Sequence, residues 1–304
     1  MIIACNINND YIRHCAVMLR SLYEANPRVD LDVFIVHSRL DGKERAKLVG
    51  YLSEFLPSVS LIQIDDSMLQ EFPESAHVKL ASYYRIFLPD ILPGVIDRII
   101  YIDSDVVVNG CLEDLWQLPL DGYRLAAATD RNLPMQRSRL GLNHDSPYFN
   151  AGIMTFHLSE WRKLDLASRG LEIARKVPEK LLNCDQDVLN ILFENQCRMI
   201  HQRWNAMPHL WGLDRQWLLD QGGLSVEEEE AIADPAIIHF AGAGFAKPWH
   251  AKCPHPWRDR YRELLAQTPW GNTPLEGAIP ESTLWQRSLA KLRRGVGRIK
   301  TALG

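Results

Sequence analysis

Two carboxylates one residue apart, Asp103 and Asp105, end the apolar run in DRIIYIDSDVVVN, residues 97–109. Ile99, Ile100, Tyr101 and Ile102 fit a central parallel strand buried on both faces. That puts both acids at its carboxyl end, where open α/β sheets keep their ligand crevice. Like charges so close repel unless a cation or a shared proton relieves them. A divalent metal would do so; a solvated strand end bearing two ordinary acids is the other reading.

Four further clusters carry possible chemistry. In HFAGAGFAKPWH, residues 239–250, His239 ends a short predicted strand, Gly242 and Gly244 let the backbone bend toward phosphates, and Lys247 adds a positive charge. Imidazole pairs well with carboxylates around Mn²⁺, although a lone histidine is more often structural. In YFNAGIMTF, residues 148–156, Asn150 offers an amide, and Ala151-Gly152 a backbone that a ligand can approach closely or that simply bends. Asp185, Gln186 and Asp187 open a predicted helix; they can bond sugar hydroxyls, and N-capping explains one of them. Asn8, Asn9, Asp10 and Tyr11 follow the first predicted strand, where amides can bond a nucleotide base and Tyr11 can stack on it, or where a helix is merely capped. No G-x-G-x-x-G occurs, so a dinucleotide turn is unsupported.

The elements that must position these residues alternate in the first half. Strands are predicted at 1–6, 31–37, 58–65, 99–103 and 124–130, with helices at 11–25, 41–56 and 79–88, the last closed by Pro89. This β-α-β-α order implies a largely parallel sheet with helices on both faces. Further on, a strand is expected at 149–158, helices at 166–177 and 185–193, a loop at 208–217, a helix beginning near Glu227, and a short strand at 236–240. Prolines between 254 and 280 mark a linker-like zone.

Composition narrows the class. The 304 residues are 46% hydrophobic and 24% charged, without the long apolar run of a membrane span. MIIACNINND turns polar by Asn6 and lacks a basic leader, so it reads as a strand and not a signal peptide. The six cysteines form no C-x-x-C pair and suit a reducing cytoplasm. Net charge is −4; the tail from Ser282 contributes +6, so the body carries −10, which argues against nucleic-acid binding.

The ordered set NNDY, SYYRIFLPDIL, YIDSDVVV, YFNAGIMTF, DQDVLN and HFAGAGFAKPWH resembles glycosyltransferase family 8, over about residues 1–257. The resemblance implies a GT-A, Rossmann-like α/β fold with a mixed, mostly parallel sheet, a UDP-sugar donor and retention at the anomeric carbon. By it, Asp103, Asp105 and His239 would hold Mn²⁺ or Mg²⁺, with Ser104 between the acids also at the donor. Asn8 and Tyr11 would face uracil; Arg85 would reach the donor sugar or diphosphate; Gly242 and Lys247 would contact phosphates. Asp130, Asn150, Ala151, Asp185 and Gln186 would position the hexose. His77 and Pro208 would lie toward the acceptor. Two departures stand out: Asn8 replaces a frequent aspartate, and the AGAGFA loop is longer than usual.

The resemblance implies galactosyl or glucosyl transfer to a glycan, with lipopolysaccharide core or another surface glycan as the expected acceptor. Gln186, a poor nucleophile, is expected to turn its carbonyl toward the cationic sugar during same-face attack. Two alternatives stay open: a haloacid-dehalogenase-like phosphatase using Asp103 and Asp105, and a non-catalytic glycan-binding protein on the same fold. A catalytic domain at 1–257 and an extension at 258–304 are expected. In that extension Trp285, Leu289, Leu292, Val296, Ile299 and Leu303 recur at helical spacing opposite basic residues, an interfacial pattern suited to an anionic inner-membrane surface on the cytoplasmic side.

Overall fold

Each apolar run of the first half becomes a strand, and alternate residues bury on opposite faces. The computed structural model describes residues 1–69, 72, 80–130, 133–213 and 224–278. β1 (Ile2–Ile7) leads through a 3-10 turn (Asn9–Tyr11) into α1 (Ile12–Ala25). β2 (Asp32–His37), α2 (Gly42–Leu52) and β3 (Ser58–Gln63) follow. α2 begins where the Asp41 side chain accepts from the amides of Lys43 and Glu44, at 2.9 and 3.1 Å, satisfying two otherwise orphaned donors.

A 3-10 helix (Leu80–Phe87) and α3 (Leu88–Ile91) then precede β4 (Arg98–Ile102) and β5 (Val106–Val108). Here the expected α-helix at 79–88 is corrected: the turn is tight, and Pro89 does not stop a helix but sits in the first turn of α3, where its missing amide costs nothing. Next come α4 (Glu113–Gln117), β6 (Leu125–Thr129), α5 (Leu133–Leu140), β7 (Phe149–His157), α6 (Leu158–Arg162), α7 (Leu166–Lys176), α8 (Asp185–Leu192) and β8 (Cys197–Ile200). After 3-10 turns at Gln202–Asn205 and Pro208–Trp211 lie α9 (Val226–Ala233), β9 (Ile237–His239) and α10 (Arg258–Ala266). The first part of the expected loop at 208–217 is therefore a turn, and its part beyond 213 lies outside the described residues.

The main sheet has the order β3-β2-β1-β4-β7-β6-β8, and β7 alone runs antiparallel to its neighbours. β5 and β9 form a separate antiparallel ladder. On one face Ile3, Cys5, Ile7, Ile100 and Ile102 pack under α1, α2 and α10; on the other Ala4, Ile99 and Tyr101 pack under α7, α8 and the 3-10 helix. Tyr261, Leu264, Leu265 and Trp270 belong to the first core. The described part of the C-terminal extension is thus continuous with the body, and the amphipathic stretch beyond Ser282 lies outside the described residues. All six cysteines are free thiols, Cys111 exposed and the others buried. Among the described residues no helix is long and apolar enough to cross a membrane.

Candidate active site

β4 ends at Ile102, and Asp103 leaves the sheet with its amide donating to the Gly152 carbonyl of β7 at 2.8 Å. The chain turns into β5, whose Val106 lies opposite His239 of β9. The Phe240 amide closes the ladder onto the Asp105 carbonyl at 3.0 Å. His239 Nε2 consequently stands 3.5 Å from Asp105 Oδ1. Asp103, Asp105 and His239 each offer a ligand atom, all within 4.8 Å of one another. Gly152 makes this approach possible: a Cβ there would meet His239 Cε1 at 2.4 Å and Asp103 Oδ2 at 2.9 Å. Two carboxylates and an imidazole suit Mn²⁺ or Mg²⁺. The ring is oriented for it, because Nδ1 pairs with Asn205 Oδ1 at 2.8 Å while Nε2 faces the acids.

Cations surround these acids. Arg85, projecting from the 3-10 helix, lies 2.8 Å from Asp103 and 2.9 Å from Asp185, and stacks over the Tyr101 ring at 4.5 Å. Its Nη1 donates to the Ala151 carbonyl at 2.5 Å and its Nε to the Ser82 carbonyl at 3.0 Å. Burial disfavours the guanidinium charge, but Asp103 and Asp185 hold its pKa above the ordinary arginine value. Lys247 pairs closely with Asp105 Oδ2 and donates to the Phe240 carbonyl at 2.9 Å. Burial opposes the Asp105 charge, yet Lys247 and His239 hold that carboxyl well below the usual range. Asp103 shifts upward instead: burial raises it, Arg85 offsets part, and Asp105 adds to the rise. Burial also pushes Asp185 up to about 6 against the pull of Arg85.

Beside the acids lies a web of amides. Gln186 Oε1 accepts from Asn150 Nδ2 at 3.0 Å and from the Ala151 amide at 3.2 Å. Its Nε2 donates to Asp130 Oδ2 at 2.7 Å and to Tyr148 Oη at 3.0 Å. Both lone pairs of the Gln186 carbonyl are thereby engaged. The start of β7 thus holds the Gln186 carbonyl within the cleft lining. Asp187 is wholly buried, bound by Arg139 and Tyr148, and anchors the framework.

These groups line a cleft of about 550 Å³ at the carboxyl ends of β1 and β4. Every expected site residue within the described chain lines it except Ala151. The Ala151 side chain is buried in the core, and its backbone braces Gln186 and Arg85 from beneath. His77 lies outside the described residues. At the β1 end, Asn8 Oδ1 caps the following turn by accepting from the Tyr11 amide at 3.2 Å. Burial, with Asp105 and Asp103 nearby, raises the Tyr11 phenol and keeps it neutral. Ser104 Oγ donates to the Asn6 carbonyl at 3.1 Å. Gly242 takes φ +102, a conformation that favours glycine. Pro208 opens the turn at the opposite rim.

Sequence reasoning missed Asn6, Gln136 and Asn183, which also line the cleft beside His209, and Asn205, buried behind His239. Asn6 was within reach, since it ends a strand beside β4. The others sit in turns or on the short α5 and carry no signal of their own.

The sequence model of the family described as "Glycosyl transferase family 8" matches residues 2–253. General stress protein A of Bacillus subtilis is 29% identical over 273 residues, covering 88% of this chain and 94% of that protein. The lipopolysaccharide 1,3-galactosyltransferase of Salmonella typhimurium is 22% identical, covering 93% and 82%. An Escherichia coli lipopolysaccharide 1,2-glucosyltransferase is 25% identical, covering 91% and 81%. Among solved structures, the galactosyltransferase LgtC in complex with donor and acceptor sugar analogs superposes with a TM-score of 0.77 at 23% identity, covering 93% of this chain and 98% of that one. At that identity the likeness speaks for the fold.

Proposed function

The chain belongs to glycosyl transferase family 8, and from that premise we propose that it moves a galactosyl or glucosyl unit from a UDP-sugar to a glycan acceptor, with retention. The observation that carries this reading is the Asp103, Asp105, His239 cluster beside Lys247 in a cleft that also holds Tyr11 and the Asp130, Asn150, Gln186 web. Mn²⁺ or Mg²⁺, held by those three residues, would supply Lewis acidity that offsets charge on the departing UDP. Lys247 and Arg85 add fixed positive charge along the same path. Tyr11 offers a neutral ring for uracil, and Asn8 keeps its Nδ2 donor beyond the capping bond.

Asp130, Asn150 and Asp185 face the hexose, and Gln186 holds the first two in place. A doubly hydrogen-bonded carboxamide oxygen is a poor nucleophile. This favours same-face attack, in which the departing phosphate oxygen takes the acceptor proton. Trapping a sugar covalently on Gln186 or Asp185 would overturn that step. Pro208 and His209 stand on the acceptor rim.

Lipopolysaccharide core, or another surface glycan, is the acceptor suggested by relatives named for such transfers. A basic tail beyond Ser282 would hold the enzyme at an anionic membrane on the cytoplasmic side. The phosphatase alternative finds no support in the family or its structural neighbours. The test is UDP release from a panel of UDP-sugars with Mn²⁺ or EDTA, beside Asp103→Ala. Metal-dependent release from one donor, lost in the variant, is expected. No release and no metal-dependent donor binding would favour a glycan-binding protein.

A further inference from the structure

We infer that Asn205 is a positioning residue that fixes the tautomer of His239 and ties the metal ligands to the hexose-facing amides. Asn205 is fully buried at the end of its 3-10 turn. Its Oδ1 meets His239 Nδ1 at 2.8 Å, and its Nδ2 donates to Asn150 Oδ1 at 2.9 Å.

The direction of every bond in this relay follows from two backbone amides, which can only donate. The Gly152 amide points at one end of the Asn150 side chain at 3.0 Å, so that end is the carbonyl. The Ala151 amide fixes the carbonyl of Gln186 in the same way, and Asn150 Nδ2 donates to it at 3.0 Å. Both assignments agree on the orientation of Asn150. Asn205 must therefore present its NH₂ to Asn150 and its oxygen to His239. A ring nitrogen facing a carbonyl oxygen must carry the proton. Nδ1 thus carries a proton, and Nε2 is the ring nitrogen left to ligate beside Asp103 and Asp105. Ligating histidines are generally oriented by such a partner, whose loss costs about 10–100-fold in metal affinity. Here the partner is an amide whose other end reaches the sugar pocket, so occupancy at the two ends is mechanically linked.

The inference draws its consequence from the cation reading above, and the experiment separates the two. The tautomer is read in metal-free, full-length protein at a pH where the ring's own ¹⁵N shifts show it to be neutral, from long-range ¹H–¹⁵N imidazole correlations, with His239→Gln assigning the signal. Wild type is expected to show Nδ1–H. In Asn205→Ala the tautomers should mix, and Mn²⁺ affinity measured calorimetrically with UDP present should fall by about 10–100-fold. Asn205→Asp keeps an acceptor at His239 but loses the donor to Asn150. It should retain the tautomer and Mn²⁺ affinity while its preference for UDP-hexose over UDP drops. Nε2–H in wild type, or wild-type tautomer and affinity in Asn205→Ala, would overturn the inference. Nδ1–H in wild type that mixes in Asn205→Ala, with no cation bound by either, would uphold the relay and overturn the cation reading.

Discussion

Gly152→Ala tests the geometry most sharply, because one methyl group meets three parts of the site. Its carbon would lie 2.4 Å from His239 Cε1 and 2.9 Å from both Asn150 Oδ1 and Asp103 Oδ2. Non-bonded carbons settle near 3.5 Å, so the ring must retreat by about 1 Å. The backbone cannot yield instead. β7 is held between β4 and β6, and the Gly152 carbonyl is bound by the Asp103 amide. Overpacking of this kind costs about 1–3 kcal/mol. The metal-free variant relieves it by displacing His239, and rebuilding the ligand set brings it back. Mn²⁺ affinity in the presence of UDP should therefore fall by roughly 5- to 150-fold. Calorimetric titration reads this, with a thermal melt in EDTA to establish that the variant folds. A folded Gly152→Ala protein with wild-type Mn²⁺ affinity would refute the crowding argument.

Asp185 sets a pH signature. Its carboxyl is raised to about 6 by burial, so between about pH 4 and 6 the folded state binds more protons than the unfolded one, and stability falls as pH rises. Relative to Asp185→Asn, wild type should lose up to about 3 kcal/mol across that window in denaturant unfolding; a flat difference would contradict the shift. Lys247→Met removes the ammonium that neutralises Asp105. Melting in EDTA should drop, and Mn²⁺ alone, without UDP, should stabilise the variant more than wild type; equal shifts would remove Lys247 from this role. Deleting Ser282–Gly304 should abolish sedimentation with vesicles of anionic lipid while UDP release persists, and unchanged sedimentation would dismiss the tail as the anchor.

Strands were legible where apolar runs fill both faces of a parallel sheet, as at Ile99–Ile102, and the fold class followed. Val106–Val108 escaped notice as a separate strand, because a continuous apolar run does not show where the chain leaves one sheet for another ladder. The 3-10 helix at Leu80–Phe87 shares the apolar periodicity of an α-helix over so short a span. β8, with only Cys197 buried, has too little pattern to read. Within the site, Asp103 and Asp105 announce themselves by proximity, while His239 and Lys247 needed the ordered motifs. Asn205 carries no local signal at all. Its part arises only because β9, β7 and one turn converge. Gly152 was read as a place where a ligand comes close, and what comes close is His239.

The β5–β9 ladder also bears on the order in which the molecule assembles. Lys247 and Asp105 are 142 residues apart in sequence, and His239 reaches Val106 over a similar span. β1, β2, β3 and β4 can pair from the first third of the chain, where Arg85 already serves Asp103, but Asp105 then lacks both of its partners. Closing so long a loop costs entropy that must be met before its contacts reward it. Until β9 docks, Asp105 has neither imidazole nor ammonium beside it, and its repulsion with Asp103 works against the nascent sheet. Whatever binds only the closed arrangement draws the late strand home by mass action. Assembly of the Asp103, Asp105, His239 cluster and completion of the polypeptide's folding thus depend on the same three-residue zipper.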